Sequence, residues 1–191
     1  MKNIIIGIAA AVISFACNSA NNKSEDNKVS TDTTKPQQQT NNKQTKGTSS
    51  IKEILNGYLQ LKNALANDNG NDAANSGKTI LDAVAKFDGS SLSAQQKKVY
   101  DDVEDDIKDN AEHISENSGR IAHQRQHFEM LSQDMYDLVK AFAGERTLYK
   151  DYCSMYNNGK GATWISETKE IKNPYLGKKM PACGEVKEEI K

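Results

Sequence analysis

Two cysteine–methionine pairs carry the chemistry that stands out in this sequence: Cys153-Ser154-Met155 and Met180-Pro181-Ala182-Cys183. Thiolate and thioether are soft donors, and together they favour Cu(I) over hard, oxygen-seeking ions. The spacing within each pair is short enough for both sulfurs to face one ion. Between the pairs, Asn157-Asn158-Gly159-Lys160-Gly161 is a turn-rich run that lets the chain double back. Zinc is the rival for the cysteines, although its sites seldom recruit a thioether. The same residues support a plainer reading. Two cysteines in an exported domain commonly close as one Cys153–Cys183 disulfide, with the methionines as packing.

A second donor set lies upstream. His123 and His127 are four residues apart, the spacing that turns two imidazoles to one side of a helix. With Met130 and Asp134 they form a stripe away from the apolar centre marked by Phe128 and Phe142. A methionine on such a face is unexpected. The stripe could meet the Cys/Met tail and complete a site of thiolate, thioether and imidazole; the ordinary alternative is a pair of histidines that faces solvent. His113 is isolated and receives no role. No phosphate loop, nucleophile elbow or H-E-x-x-H is present, so binding without bond-making chemistry is expected, not an enzyme.

Those side chains must be positioned by helices. Ser49 and Ser50 offer N-caps, and Ile51, Ile54, Leu55, Tyr58, Leu61 and Leu65 follow the three-four spacing of one apolar face. Asn67 to Gly70 breaks that helix. A second carries Ala73, Ile80, Leu81, Val84 and Phe87, with Gly77 in its middle marking either a weak point or a close approach to a neighbour. Ser93 can cap a third, with Val99, Val103, Ile107 and Ile114 inward and a run of acids from Asp101 to Glu112 on its solvated face. The fourth aligns Ile121, Phe128, Leu131, Met135, Leu138, Val139 and Phe142. The expected fold class is all-α: a four-helix up-down bundle with an irregular C-terminal tail. Leu148-Tyr149 and Ala162-Thr163-Trp164-Ile165 are short β-prone segments in that tail, where Trp164 serves as an anchor.

The N-terminus reads as an address. Ile4 to Ala16 is a 13-residue stretch without charge after Lys2, too short to span a bilayer comfortably but suited to a signal peptide. Cys17 follows as the expected lipidation site, although Ser14 stands where leucine is usual. Residues 18–48 hold only two apolar side chains, Ala20 and Val29, and read as a disordered polar tether. The organisation is thus 1–17 signal peptide and acylation site, 18–48 tether, and 49–191 bundle with its Cys/Met tail. The 191 residues carry 25 basic and 26 acidic side chains, which gives no electrostatic reason to bind nucleic acid.

Three sets of residues also carry a family resemblance. They are Tyr58-Leu59-Gln60-Leu61-Lys62-Asn63-Ala64-Leu65, then His123-Gln124-Arg125-Gln126-His127-Phe128 with Leu131-Ser132, then a tail signature. The tail signature comprises Tyr152-Cys153-Ser154-Met155, Gly161 to Ser166, Asn173 to Met180 and Cys183-Gly184. From Ile51 to Glu188 the chain resembles a domain-of-unknown-function family of Gram-negative exported lipoproteins, whose relatives also occur fused to CusB-type heavy-metal efflux adaptors. Members usually read Cys-Pro-Met where this chain has Cys153-Ser154-Met155; the ligand types survive that change, with a less rigid backbone. The resemblance implies a metal role for Cys153, Met155, Met180 and Cys183, and secondarily for His123 and His127. It also implies copper or heavy-metal resistance, with handover to an efflux adaptor. A lipid anchor would hold the protein to the membrane, on the periplasmic side or in the outer membrane.

Overall fold

The computed structural model describes residues 46–142, 144 and 146–191, with side chains from Ile51 onward. The expected signal peptide, the lipidation site Cys17 and the tether up to residue 45 lie outside the described residues. Four helices follow in chain order: α1 (Lys46–Ala66), α2 (Gly70–Ala85), α3 (Ala94–Glu116) and α4 (Ile121–Ala141). Among the described residues, no helix is long and apolar enough to cross a membrane.

All six apolar positions expected on α1 are buried, and Leu59 joins them. The helix runs through Ser49 and Ser50 instead of starting on them, because extending an existing helix adds one hydrogen bond per residue fixed. Asn69 caps α2, its side chain accepting from the Asp72 amide. Gly77 marks a close approach, since a Cβ there would sit 2.8 Å from the Ala111 carbonyl oxygen on α3. Ser93 caps α3 as expected, in a reciprocal capping box with Gln96. No side chain caps α4. Its first turn is held instead by Gln124, whose Nε2 donates to Gly70 O at 2.9 Å and Ile114 O at 3.0 Å. Phe128, Leu131, Met135 and Leu138 of α4 are fully buried, at about 1.5–3 kcal/mol of burial free energy each.

The C-terminal segment is not irregular, and the fold is not all-α. Strands β1 (Leu148–Cys153), β2 (Ala162–Ser166) and β3 (Glu185–Ile190) form an antiparallel sheet in the order β2-β1-β3. The β-prone segments fall on β1 and β2. Strand β3 carries four charges in six residues and buries only Ile190 fully, so pairing with β1, not side-chain propensity, makes it a strand.

The sheet also joins α1 to α4. Tyr58 of α1 stacks on Phe128 of α4, with ring centroids 5.2 Å apart. Its hydroxyl pairs with Ser132 Oγ at 2.8 Å and accepts from the Ile165 amide of β2 at 3.0 Å. Trp164 is fully buried beside Tyr175, the anchor expected of it. Two charged groups enter the same interface. Lys62 of α1 is 1% exposed and donates to Glu167 Oε2 at 2.6 Å. Asp151, opposite Trp164 in the β1–β2 register, is wholly inaccessible and neither carboxylate oxygen is hydrogen-bonded. Burial pushes its carboxyl up to about 7, with Glu167 adding to the rise and Lys62 opposing it.

A polar clamp fixes the loop between β2 and β3. Arg125 of α4 donates through Nε to Pro174 O at 2.7 Å, and through Nη2 to Leu65 O at 2.8 Å and Asp68 Oδ1 at 2.6 Å. Asp68 Oδ2 accepts in turn from the Lys178 amide at 3.0 Å. Gly177 sits against this clamp at φ +54°, where a Cβ would collide with the Asp68 and Arg125 side chains.

Candidate metal centre

The two cysteines meet. Cys153 ends β1, fully buried, and β3 begins at Glu185 opposite Tyr152, so Cys183 arrives two residues earlier at the same end of the sheet. Their Sγ atoms are 3.0 Å apart and both are free thiols. The approach of Cys183 is held by Asn173, whose Nδ2 donates to the Cys183 carbonyl, and by a turn in which the Cys183 amide donates to Met180 O at 3.2 Å. The contact with Cys153, and then burial, push the Cys183 thiol above its ordinary range. Of the expected thioethers, Met180 lies in that turn and is partly buried, whereas Met155 is 58% exposed.

The histidine stripe of α4 faces a different neighbour from the one expected. His123 and His127 pack against α3, where His113 stacks on His127 with centroids 4.3 Å apart and rings 9° from parallel. His123 stands edge-on to both, at 4.6 Å from His127 and 6.1 Å from His113. Ligand nitrogens from all three lie within 4.8 Å of one another. Among the described residues this group contains no cysteine, so the structure gives a thiol pair and an imidazole triad instead of the mixed site expected. The part of α4 that meets the sheet side carries Arg125, Phe128 and Ser132, and these hold Pro174, Tyr175 and Tyr58. Both neighbours pack on α4, and a helical wheel does not say which of them takes which face.

His113, given no role by its sequence position, is the third member of the triad. One signal was available in the sequence: the chain has only three histidines, so the His123–His127 pair leaves a single candidate for a third imidazole. The triad has a supporting residue as well. His127 Nδ1 lies 3.0 Å from Oδ1 of buried Asn110, whose Nδ2 donates to the Asp106 carbonyl at 2.8 Å. That second bond fixes the amide orientation, so Oδ1 accepts from Nδ1–H and Nε2 of His127 keeps its lone pair. Burial, followed by the neighbouring His113 and His123, holds His127 below the usual histidine range, which favours the neutral ring that metals require. Farther along the same seam, burial and then Asp106 and Asp137 push the Asp134 carboxyl up to about 6.

No curated protein and no solved structure matches the chain. Residues 54–147, from within α1 to the residue before β1 and with all three histidines, fit the model of a family described as proteins of unknown function, DUF3347.

Proposed function

We propose that this chain is an exported, lipid-anchored protein that binds Cu(I) at its C-terminal sheet and passes it to a heavy-metal efflux adaptor. The four helices, taken as an up-down bundle, act as the frame. The observation that supports this reading best is the pair of free thiols 3.0 Å apart, with Cys153 buried and Cys183 partly open to solvent. Two thiolates bound at about 2.3 Å in tetrahedral geometry stand about 3.8 Å apart, so a shift of under about 1 Å at Cys183 admits an ion. Met180, in the same turn as Cys183, supplies a soft third donor, and Met155 a fourth from the open side. Binding deprotonates the thiols, and the raised Cys183 pKa couples metal uptake to proton release. Lipid attachment at Cys17 rests on the uncharged stretch from Ile4 to Ala16 and the polar segment after it, and the efflux partner on the sequence resemblance.

A second reading uses the same observation: sulfurs this close can close as a Cys153–Cys183 disulfide that staples β1 to the chain entering β3. The two readings part in one experiment. Reduced full-length chain in detergent is titrated anaerobically with Cu(I) against a competing chelator, with a free-thiol count before and after. The expected outcome is one equivalent bound, a tenfold or greater loss in Cys153→Ser and Cys183→Ser, and a smaller loss in Met180→Ala. Equal, weak competition by wild type and both cysteine variants overturns the metal reading and leaves the staple.

A further inference from the structure

The thiol pair does not exhaust the metal chemistry of this chain. We propose that His113, His123 and His127 form a second, independent site for a borderline divalent cation, held through three imidazole nitrogens with one coordination position open.

Every histidine of the chain is in this group. A scatter of solvated histidines has no reason to converge from two helices, one ligand from α3 and an i, i+4 pair from α4. The ligand nitrogens lie within 4.8 Å of one another. Three nitrogens bound to one ion at 2.0–2.1 Å in tetrahedral geometry stand about 3.3 Å apart, so no pair need close by more than about 1.5 Å. Side-chain rotation supplies that contraction. His113 is exposed and can swing off its stack on His127, while the two α4 rings are already edge-to-face.

Asn110 gives the site an outer shell. Its amide is oriented by the Asp106 carbonyl and holds His127 Nδ1–H, which directs Nε2 to the ion, as outer-shell carbonyls do in histidine metal sites. Asp109, four residues before His113 on α3, puts a negative charge on the approach. Imidazole suits Cu2+, Zn2+ and Ni2+, and the Irving–Williams order places Cu2+ first among them. The donors differ from those of the sulfur pair, so the two sites select different oxidation states: Cu(I) on sulfur, a divalent ion on nitrogen.

The test uses the full chain carrying Cys153→Ser/Cys183→Ser, which removes the thiols that Cu2+ would oxidise and Zn2+ would bind, without an affinity tag, in detergent, titrated separately with Cu2+ and Zn2+ against a chelator. Expected are one equivalent bound, nitrogen hyperfine structure in the Cu2+ electron paramagnetic resonance spectrum, and tighter Cu2+ than Zn2+. His113→Ala and His123→Ala should each weaken binding tenfold or more, and Asn110→Ala about tenfold. His113 is exposed, so its variant should melt like wild type and reports binding alone. The double variant Cys153→Ser/Cys183→Ser should retain divalent binding while losing Cu(I), which separates this site from the sulfur site. Unchanged affinity in His113→Ala, or loss of divalent binding in the double cysteine variant, overturns the proposal.

Discussion

Replacing Asp151 by asparagine should remove a pH dependence that is built into the sheet. The carboxyl is inaccessible, without a hydrogen bond, and pushed from 3.8 up to about 7. A raised folded-state value means that the native state holds the proton more tightly than the unfolded chain. The associated stability is complete below about pH 4 and is lost as pH rises through 7. A shift of about three units corresponds to about 4 kcal/mol, and relaxation and solvent screening around the charged form reduce it to about 2–4 kcal/mol. The groups facing Asp151 are Lys62, Glu167 and Trp164; Lys62 keeps its bond to Glu167 in the variant, so the substitution leaves no buried cation alone. Urea unfolding from pH 4.5 to 8.5 should show the wild type losing stability relative to Asp151→Asn by that amount. Trp164, the single tryptophan and the cross-strand neighbour of Asp151, gives a fluorescence signal for the same titration. A wild-type-minus-variant difference that is flat across this range, or that rises with pH, refutes the reasoning.

Three other substitutions probe the frame. Gly177→Ala puts a Cβ into the Asp68–Arg125 clamp at positive φ, and should cost about 1–3 kcal/mol and speed thiol alkylation at Cys183, read by mass spectrometry. Leu131→Ala should cost about 2–5 kcal/mol in chemical denaturation because the side chain is fully buried, whereas Asp105→Ala, exposed on α3, should stay within about 0.5 kcal/mol of wild type.

The helices were legible because a periodic apolar face has one stable use, burial against a neighbour. The Ser93 capping box and the tight spot at Gly77 were readable from local chemistry alone. What the pattern left open was the identity of each neighbour. The spacing of His123 and His127 allows a stripe that meets the tail or faces solvent, yet α3 takes that side, and the third imidazole, His113, comes from a helix whose outer face reads as solvated acids. The sheet was half legible: β1 and β2 carry aromatic and branched residues, while β3 is a charged segment that only its partner strand makes regular. Lys62 was passed over because lysine is rarely buried, although it lies four residues after Tyr58 on the apolar side of α1. The meeting of Cys153 and Cys183 was expected from their types; that it excludes the histidines is a matter of which side of α4 each neighbour occupies.

The ties that hold the sheet to the helices span long stretches of chain. The Ile165 amide reaches Tyr58 across 107 residues, Lys62 reaches Glu167 across 105, and the Lys178 amide reaches Asp68 across 110. Contacts of such separation form late, after helices that close their own bonds within a turn or two. The sulfur pair itself spans only 30 residues, so its closure awaits the pairing of β1 with β3 and not those longer ties. A metal or an oxidant that reaches the chain before these strands have paired meets two separate thiols, and the order of arrival decides which chemistry they enter.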